Sequence, residues 1–400
     1  MSAPPSYPRP PNPLAPPPAA VRLRRRLMRA LALPWSRGWL APPPASNRPP
    51  RLLLIRPDHL GDLIFLGPAL HWLRAQAPAA HLTLAIGPWG RPALPALAGA
   101  YDELLVFPFP GFERGERAGI GERWAGLPRL AGRLRPLGFD AALLLRPDHW
   151  WGAMLAALAG IPQRLGYATA ETTPWLTTAL PLPRQHAAAS NLALAAAWLG
   201  QPAPSTPEQA PLRFALDDRD RQDVMDLLTG IGLGSDRRLV VIHPGAGAAV
   251  KLWRAEGWGQ VAQALAGQGL AVVVTAGPGE EALAAAVTAA SGGAAIDLAG
   301  RTSFGQLAAL LAAASLALGP DSGPLHLAVA VGTPTVHLFG PADPRLYGPW
   351  GSPDRHLVLR SAWGCIPCGR LDWPDLPAHG CVGAITVGQV VAAAERVLVG

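Results

Sequence analysis

The sequence predicts an α/β protein built from two Rossmann-like halves. Short apolar runs alternate with helical, often Ala-rich segments along most of the 400 residues, which is typical of a wound parallel sheet. The alternation is interrupted at residues 201–211, where four prolines and few large apolar side chains indicate an interdomain linker. Four hundred residues also exceed what one ordinary hydrophobic core accommodates. We therefore expect two domains with a ligand cleft between them.

Four strands are predicted in the first half, which we place at residues 50–205. Each is a short apolar run bounded by a loop or a helix, as expected for buried strands of a parallel sheet. Helices are expected over residues 63–74, 123–134 and 151–159. The predicted strands cover residues 51–56, 81–86, 104–107 and 141–145.

The second half, residues 206–400, repeats this pattern with five predicted strands. The helices between them are rich in alanine, as over residues 304–314. In a parallel sheet all strands end at the same edge, and that edge is where ligands bind. The five strands cover residues 239–243, 270–275, 294–298, 316–318 and 335–339.

Charge is distributed unevenly along the chain. Residues 1–50 contain eight arginines and no acidic residue, whereas the remaining 350 residues carry 26 basic and 27 acidic side chains. The basic character therefore belongs to the tail, and the nearly neutral body argues against nucleic-acid binding. No apolar run reaches the roughly 18 residues that span a bilayer. Three cysteines and the lack of a signal-peptide pattern favour the cytoplasm.

The N-terminal tail, residues 1–49, is expected to be largely disordered. Fifteen of the 46 prolines lie in residues 1–50, and such a segment cannot pack into a core. Residues 21–33 nevertheless have leucines on one side of a helical wheel and arginines on another, with two tryptophans following. This pattern predicts a short basic amphipathic helix, and we expect residues 21–40 to contact an anionic membrane surface. A solvated basic linker is the alternative.

Two similar segments follow strands of the first half. They are Ile55-Arg-Pro-Asp-His59 and Leu145-Arg-Pro-Asp-His149. Each stands where a strand ends and a helix begins, which is where α/β proteins place their binding residues. Five residues are too few to establish a duplication.

Lys251 is distinctive because the other basic residues of the chain are all arginine. It follows a predicted strand and the glycine-rich turn Leu239-Val-Val-Ile-His-Pro-Gly-Ala-Gly247, a position where α/β proteins bind phosphate. A lysine is a compact point charge that suits one phosphate oxygen, whereas arginine is planar and bidentate. We interpret Lys251 as a phosphate-binding residue; a chance surface lysine is the alternative.

The densest motif is Leu318-Gly-Pro-Asp-Ser-Gly-Pro-Leu-His-Leu-Ala328. Asp321, Ser322 and Gly323 are predicted to end a strand and begin a helix. The unpaired amides and the dipole at such a position attract an anion, and the Asp321 carboxylate accepts hydrogen bonds from sugar hydroxyls. A plain helix cap without a ligand is the alternative.

A further strand ends in Thr275-Ala-Gly-Pro-Gly-Glu280. Because a helix follows at once, this segment stands at the ligand-binding edge of the second sheet. Two interpretations remain open. Either Glu280 or Glu281 binds a ribose hydroxyl, or both are first-turn carboxylates without a ligand.

Three other patterns are weak. The turn at residues 245–250 lacks the third small residue of a dinucleotide fingerprint, which disfavours an NAD-dependent dehydrogenase. The segment Asp218-Arg-Asp220 is interpreted as a helix start and not as a metal site. Cys365, Cys368 and Cys381 have a loose zinc-like spacing, but buried thiols or a loop of unknown role are favoured. We predict no metal and no cofactor.

Taken together, the motifs resemble glycosyltransferase family 9, the heptosyltransferase group, from about residue 51 to the end. The segment Arg56-Pro-Asp58-His-Leu-Gly61-Asp62 resembles the motif that opens the family's first domain. His243-Pro-Gly245 followed by Lys251-Leu-Trp253 resembles the motif that opens the second, and residues 321–327 resemble the Asp-Ser-Gly-x-x-His-Leu signature. Several motifs in the right order are more specific than any one of them.

The resemblance implies a GT-B fold and an inverting, metal-independent transfer from a nucleotide-sugar, typically ADP-heptose. It implies that Asp62 is the general base on the acceptor hydroxyl and that Lys251 contacts the departing diphosphate. Inversion needs a base on the face opposite the leaving group, so this pairing agrees with the chemistry. The expected donor-binding residues are Asp321, Ser322, Gly323, His326, Gly245, Thr275 and Glu280. The expected acceptor-side residues are Arg56, Asp58 and Asp148.

The expected acceptor is a lipid-linked or lipopolysaccharide-core glycan at the cytoplasmic face of the membrane. Asp58 competes with Asp62 as the base, and a carboxylate that only stabilises a helix start is the other interpretation of Asp62. A GT-B-fold nucleotide-sugar 2-epimerase and a non-catalytic member of the fold are the alternative functions. The loops at 88–92, 108–122 and 147–151 leave the identity of the acceptor open.

Overall fold

The structure, a computed structural model, describes residues 19–36, 48–112, 120–234, 237–371 and 380–399. Most of the Pro-rich tail and part of the loop at 108–122 fall outside these described residues. The predicted disorder of the tail therefore stays a prediction.

Twelve strands in the described ranges form two six-stranded sheets in which every adjacent pair is parallel. The first sheet contains β1 (Arg51–Arg56), β2 (His81–Ile86), β3 (Glu103–Val106), β4 (Ala141–Leu144), β5 (Gln163–Tyr167) and β6 (Thr178–Leu180). The second contains β7 (Leu239–Ile242), β8 (Ala271–Val274), β9 (Ala295–Asp297), β10 (Leu316–Pro320), β11 (Thr335–Phe339) and β12 (His356–Arg360).

The helices of the described ranges lie between these strands and at the two ends of the chain. They are α1 (Ala19–Ser36), α2 (Leu60–Ile64), α3 (Gly67–Gln76), α4 (Ile120–Leu134), α5 (Trp150–Leu158), α6 (Ala187–Leu199), α7 (Asp218–Gly230), α8 (Ala255–Ala266), α9 (Glu281–Ala290), α10 (Phe304–Ala313), α11 (Gly323–Ala330), α12 (Pro344–Tyr347), α13 (Gly380–Gly383) and α14 (Val387–Val399).

The two sheets share one strand order. The first runs β3-β2-β1-β4-β5-β6, and the second runs β9-β8-β7-β10-β11-β12 when read in the same sense. This is the Rossmann order, in which the strand order reverses so that the first and fourth strands of the sheet lie side by side. The prediction of two Rossmann-like α/β halves is confirmed.

Each sheet is buried on both faces, as parallel sheets require. In β1, Leu52 and Leu54 belong to a core cluster that includes residues of α3 and α6. The alternate residues Leu53 and Ile55 face a second cluster, which includes residues of α4 and α5. An uninterrupted apolar run was therefore the correct signal for this strand.

The helix predicted over residues 63–74 is divided in two. Helix α2 ends at Ile64 and α3 begins at Gly67, with Pro68 in its first turn. Proline has no N–H, so it cannot donate to the Ile64 carbonyl and continue the first helix. The break places α2 alone at the carboxyl end of β1.

Three strands were not predicted, namely β5, β6 and β12. Strand β5 includes Gln163 and Arg164, and β6 is a three-residue edge strand that is mostly exposed. The Arg164 side chain is buried because Nε donates to the Trp175 carbonyl at 2.6 Å. Strands that carry polar residues or lie at an edge lack the continuous apolar run used for prediction.

Helix α1 packs against the first half through Met28 and Ala32, which share a buried cluster with Trp175. A neighbouring side of the helix exposes leucines to solvent. Leu23, Leu27 and Leu31 are 59%, 56% and 54% exposed. No helix in the described part of the chain is both long and apolar enough to cross a bilayer.

The segment between the two sheets contacts both halves. The Ala215 N–H donates to the Pro95 carbonyl at 3.0 Å, on the side of the first sheet. The Trp350 indole of the second half donates to the Ala210 carbonyl at 2.8 Å. A domain boundary at residues 205 and 206 lies in this segment and remains a proposal.

The Asp218-Arg-Asp220 segment opens α7. The preceding Asp217 accepts a hydrogen bond from the Arg219 N–H at 2.8 Å, which pairs one of the free amides at the helix start. The segment is therefore a helix start, as the sequence indicated.

Candidate functional site

The residues of interest follow four particular strands. Strands β1 and β4 are neighbours at the switch point of the first sheet, and β7 and β10 are neighbours at that of the second. Ligands of α/β proteins bind in the crevice that forms at such a point, outside the carboxyl ends of the strands. The two Arg-Pro-Asp-His segments follow β1 and β4, and the Lys251 and Asp321 motifs follow β7 and β10.

Asp62 lies at the crevice of the first half, in the short helix α2. Its Oδ1 is 3.0 Å from Nη2 of Arg56, and its side chain is 36% exposed. Asp62 is therefore anchored on one side while its carboxylate remains accessible, as a base that meets a substrate must be.

Arg56 is held by protein atoms on several sides. Nη1 donates to the Leu145 carbonyl and, at 3.1 Å, to Oδ1 of Asn191. Nε lies 2.7 Å from Oδ2 of Asp58. Both Arg56 and Asp58 are buried, so their contacts position Asp62 rather than present charge to solvent.

The two carboxylates of this cluster have opposite pKa shifts. Burial alone would raise the pKa of Asp58, but the charges of Arg56 and Arg146 outweigh it and lower that pKa. Asp62 is only partly exposed in the cleft, and this partial desolvation together with the negative charge of Asp58 raises its pKa. A carboxylate with a raised pKa is the stronger base once it is ionised. This difference favours Asp62 over Asp58 as the proton acceptor.

Arg146 connects the two Arg-Pro-Asp-His segments and was not singled out from the sequence. It forms an ion pair with Asp58, and its Nε lies 2.6 Å from Oδ1 of Asp148. Asp148, which the sequence did single out, is 65% exposed. The similarity of the two Arg-Pro-Asp-His segments could have identified Arg146, because it occupies the same position in the second segment as Arg56 does in the first.

Lys251 and Asp321 meet at the crevice of the second half. Nζ of Lys251, at the end of the short turn Ala249–Lys251, is 2.6 Å from Oδ2 of Asp321. His326 Nε2 lies 3.5 Å from the other oxygen, Oδ1. Burial alone would raise the pKa of Asp321, but the contact with His326 and the charge of Lys251 hold it at about 2.

The first turn of α11 faces the same crevice. Ser322 precedes the helix in an extended conformation and Pro324 occupies its first turn. The hydroxyl of Ser322 and Nδ1 of His326 are buried without a hydrogen-bond partner among the described residues. Buried polar atoms of this kind usually have a partner, so the helix start carries unused hydrogen-bonding capacity.

The two crevices face each other at close range. A Cβ on Gly61 would lie 3.3 Å from Cδ2 of His326 and 3.4 Å from Cα of Gly323. The Phe65 ring is 4.4 Å from the His326 ring. Helices α2 and α11 therefore meet across the cleft, and Asp62 lies close enough to His326 for their charges to interact.

His186 joins the halves next to this contact and was not predicted. Its Nδ1 accepts from the Ala188 N–H at 3.1 Å, and its Nε2 lies 3.0 Å from the Gly348 carbonyl. The ring stacks on Trp350 at 4.8 Å. Burial lowers the pKa of His186 to about 4, so a neutral imidazole with its proton on Nε2 makes both contacts.

Glu280 and Thr275 lie near the carboxyl ends of β7 and β8, beside Gly245 and His243. Glu280 turns inward, since a Cβ on Gly245 would overlap its carboxylate. Its Oε2 accepts from the Gly277 N–H at 2.9 Å and lies 3.6 Å from Nε2 of His243. Thr275 is buried, and its hydroxyl lies 3.1 Å from Nδ1 of the same histidine. Of the two glutamates considered, Glu280 is the one at the crevice.

Tyr347 is a residue that sequence reasoning missed altogether. It lies in α12 of the second half and is 43% exposed. Burial and the negative charge of Asp62 raise its pKa, so the phenol stands near the carboxylate of the first half. Nothing in the local sequence Pro344–Tyr347 signals this proximity, which arises from the fold.

The cysteines do not assemble into a recognisable metal site. Cys381 is buried and its thiol donates to the Val250 carbonyl at 3.7 Å, whereas Cys365 and Cys368 are partly exposed. Burial raises the pKa of Cys381 to about 11, which keeps it a thiol. Within the described ranges, no group of three or more His, Cys, Asp or Glu side chains is arranged to hold a metal ion.

The fold and the facing crevices define a GT-B protein, and comparison with known structures supports this class. A family 9 glycosyltransferase from Veillonella parvula DSM 2008 has a TM-score of 0.72, with 24% identity over 89% of this chain and 99% of that one. Escherichia coli ADP-heptose lipopolysaccharide heptosyltransferase II has a TM-score of 0.67, with 23% identity over 87% and 98%. The predicted GT-B fold is confirmed.

The chain belongs to glycosyltransferase family 9 (heptosyltransferase), whose family model matches residues 127–371. Lipopolysaccharide heptosyltransferase 3 of Escherichia coli K12 is 40% identical over 121 residues, and another Escherichia coli protein of that name is 31% identical over 122. Each match covers 30% of this chain and only 35% or 36% of the relative. The chain thus matches about a third of the length of these curated relatives.

Proposed function

We propose that this protein is an inverting, metal-independent glycosyltransferase that moves heptose from ADP-heptose to a lipopolysaccharide-core or other lipid-linked glycan. Membership of family 9 supports sugar transfer. One neighbour in fold is an Escherichia coli heptosyltransferase with bound ADP, and it has 19% identity and a TM-score of 0.63. The donor assignment extends that likeness to this chain.

One observation carries the proposal. Asp62 of the first half lies across a narrow cleft from the start of α11, where Asp321 and Lys251 of the second half form an ion pair of 2.6 Å. An inverting transfer needs a base and a stabiliser of the leaving group on opposite faces of the sugar. A carboxylate from one half and an ammonium from the other provide both.

Asp62 would take the proton of the acceptor hydroxyl. Its raised pKa makes it a suitable base, and Arg56 fixes its orientation at 3.0 Å. Holding a reacting group in position accounts for a large part of enzymatic rate enhancement. Arg56 and Asp58 would therefore serve on the acceptor side by positioning Asp62, and Asp148 by contacting the acceptor.

Lys251 would neutralise the charge that develops on the departing diphosphate. In this role it exchanges Asp321 for a phosphate oxygen, and Asp321 turns to the hydroxyls of the donor sugar. The first-turn amides at Ser322 and Gly323, together with His326, add positive potential at the same place. An ammonium and a helix start supply what a divalent cation supplies in other transferases, which supports metal-independent transfer.

The adenosine part would occupy the edge of the second sheet between β7 and β8. The carboxylate of Glu280 lies there, in the space that a side chain on Gly245 would occupy. Glu280 would accept from a ribose hydroxyl, with Thr275 fixing His243 behind it. The second half, residues 206–400, is accordingly the donor domain and residues 50–205 are the acceptor domain.

Helix α1 would bring the protein to the cytoplasmic face of a membrane that contains its acceptor. Three leucines of α1 are more than half exposed, and arginines lie on another side of the same helix. Exposed leucines enter the interface while arginines meet anionic headgroups.

The proposal is tested by incubating the protein with ADP-heptose and a heptose-deficient lipopolysaccharide core. We expect ADP release that depends on the acceptor, with one heptose added to the glycan. ADP should also raise the thermal midpoint more than UDP or GDP does. Conversion of UDP-GlcNAc to its 2-epimer without an acceptor would instead establish the epimerase, and no turnover with any donor would favour a non-catalytic protein.

A further inference from the structure

A cavity of about 270 Å³ opens beside the crevice of the first half. This is close to the lower end of the roughly 300–1,000 Å³ typical of ligand pockets, so it has room for one sugar ring and not for a nucleotide-sugar. Its principal lining residues are Phe112, Arg146, Asp148, His149, Trp150 and Trp151.

The cavity is joined to the proposed base by a chain of ion pairs. Arg146 pairs with Asp58, Asp58 pairs with Arg56 at 2.7 Å, and Arg56 pairs with Asp62 at 3.0 Å. Arg56 ends β1, and the other groups follow β1 or β4 at the switch point of the first sheet. The charge of Arg146 also acts on Asp62, so the cavity wall and the proposed base belong to one cluster of charged side chains.

The positive charge of the cavity is already balanced. The Arg146 guanidinium contacts Asp58, and it contacts both oxygens of Asp148 at 2.6 and 3.3 Å. A carboxylate or phosphate entering the cavity would compete with these partners. The exposed Asp148 instead offers oxygens that accept hydrogen bonds from hydroxyl groups.

His149 adds a neutral polar group to the cavity wall. It is 4% exposed, and burial lowers its pKa to about 3, so the ring is uncharged. Neither of its nitrogens has a hydrogen-bond partner among the described residues. Both nitrogens are shielded from solvent, so the ring contributes an uncharged part of the wall and no positive charge that would attract an anion.

Aromatic rings form the rest of the wall. The Phe112 ring packs beneath the Arg146 guanidinium, 4.9 Å from its centroid, and Trp150 follows at the start of α5. Aromatic faces carry negative electrostatic potential, and the C–H faces of a sugar ring are complementary to it. Together with Asp148 and His149, these rings match a neutral carbohydrate.

We propose that this cavity is an acceptor subsite for an uncharged sugar ring, bound by Asp148 and Trp150 with the uncharged His149 in its wall. The inference rests on the proposed function and states the class of acceptor: the residue of the glycan nearest the reacting hydroxyl carries neither a carboxylate nor a phosphate. Phe112 and Arg146 form part of the wall of the subsite. Arg146 also connects the subsite to Asp62 through the ion pairs of Asp58 and Arg56.

Binding is measured on the full chain by ligand-observed NMR, with methyl α-D-mannopyranoside and its 6-phosphate as probes. The neutral probe should bind better, and Trp150→Ala should weaken its binding about tenfold. Trp198→Ala, which removes another half-buried tryptophan at the far end of α6, should leave binding unchanged. Tighter binding of the phosphate probe, or equal effects of the two substitutions, overturns the proposal.

Asp148→Asn provides a second test that does not disturb the core, since this side chain is 65% exposed. Removing the carboxylate frees part of the Arg146 charge, so the preference should shift toward the phosphate probe by about tenfold. An unchanged preference would contradict the charge balance on which the proposal depends.

Titration with ADP separates this inference from the proposed function. ADP binds the second half, so Trp150→Ala and Asp148→Asn should leave its affinity unchanged. Sugar binding without any ADP binding would overturn the proposed transferase and leave the subsite in place. If ADP binds but the neutral sugar probe does not, only the proposal of the acceptor subsite is overturned.

Discussion

The two halves of this protein share one strand order but carry different chemistry at the same topological position. At the first switch point, the buried Arg56 and the half-buried Arg146 organise three carboxylates, and one of these, Asp62, has a raised pKa. At the second, a lysine, an aspartate and a histidine surround the start of α11, and Asp321 has a pKa of about 2. The sheet thus fixes where a cluster forms, whereas the residues at the ends of two neighbouring strands decide which charges it carries.

The largest effect is expected from removing the base in the first half. Asp62→Asn keeps the shape and a hydrogen bond to Arg56 but cannot take a proton. The maximal transfer rate should fall about 10²- to 10⁴-fold, while affinity for ADP stays unchanged. Initial rates of ADP release and calorimetric titration measure the two quantities. Asp226→Asn, on the exposed side of α7, is the matched control, and an equal loss there would contradict the role of Asp62.

The corresponding substitution in the second half, at Lys251, should weaken nucleotide binding. Lys251→Met removes the ammonium, and affinity for ADP should fall roughly 10- to 100-fold, in line with the loss of a charge-assisted hydrogen bond. It also leaves the buried Asp321 without its 2.6 Å partner, which destabilises the fold.

The double variant with Asp321→Asn separates these two consequences. It should regain thermal stability, since no unpaired charge remains, but it should not regain ADP affinity. Recovery of nucleotide binding in the double variant would show that Lys251 serves stability alone.

Substitutions of two glycines, Gly245 and Gly247, test whether the nucleotide binds at the edge of the second sheet. Gly245→Ala should displace the Glu280 carboxylate, whereas a Cβ on Gly247 meets nothing within 4 Å. We expect the former to weaken ADP binding about tenfold and the latter to have no effect. Equal affinities for the two variants would place Glu280 outside the binding site.

The pH dependence of transfer distinguishes Asp62 from Asp58. The base works only when ionised, so activity should be lost as the pH falls through the raised pKa of Asp62. Asp58→Asn removes a negative charge that raises this pKa and leaves the charges of Arg56 and Arg146, which lower it. The acidic limb of the pH–rate profile should therefore move to lower pH. Loss of transfer at every pH in Asp58→Asn would instead favour Asp58 as the base, and a shift of the limb to higher pH would contradict the charge effect described here.

The smallest effect on catalysis is expected from the exposed side of α1. Leu27→Ser with Leu31→Ser should reduce sedimentation with anionic phospholipid vesicles, while transfer to a water-soluble acceptor stays the same. Because both side chains are more than half exposed, the thermal midpoint should hardly change. Met28→Ala, at a position 1% exposed, should instead lower stability by about 2–5 kcal/mol. Unchanged vesicle binding of the double serine variant would remove the membrane role.

Much of the fold was predictable because buried parallel strands have continuous apolar sequences. Strands β1, β2 and β11 were predicted with their observed bounds. The strand ends also located Asp62, Lys251 and Asp321, since α/β ligand sites follow strand ends. The break between α2 and α3 was missed although Pro68 was visible, because apolar periodicity continues across it. His186, Arg146 and Tyr347 were missed for a different reason: their importance lies in contacts between segments distant in sequence, which no local pattern records.

The central claim is that a carboxylate of the first half and an ammonium of the second serve one transfer. A crystal structure of the Asp62→Asn variant with ADP-heptose and the acceptor glycan tests it most directly. We expect an acceptor hydroxyl about 2.6–3.2 Å from the side chain at position 62, with Lys251 on a diphosphate oxygen. A donor bound away from Lys251, or an acceptor hydroxyl directed at another carboxylate, would contradict it.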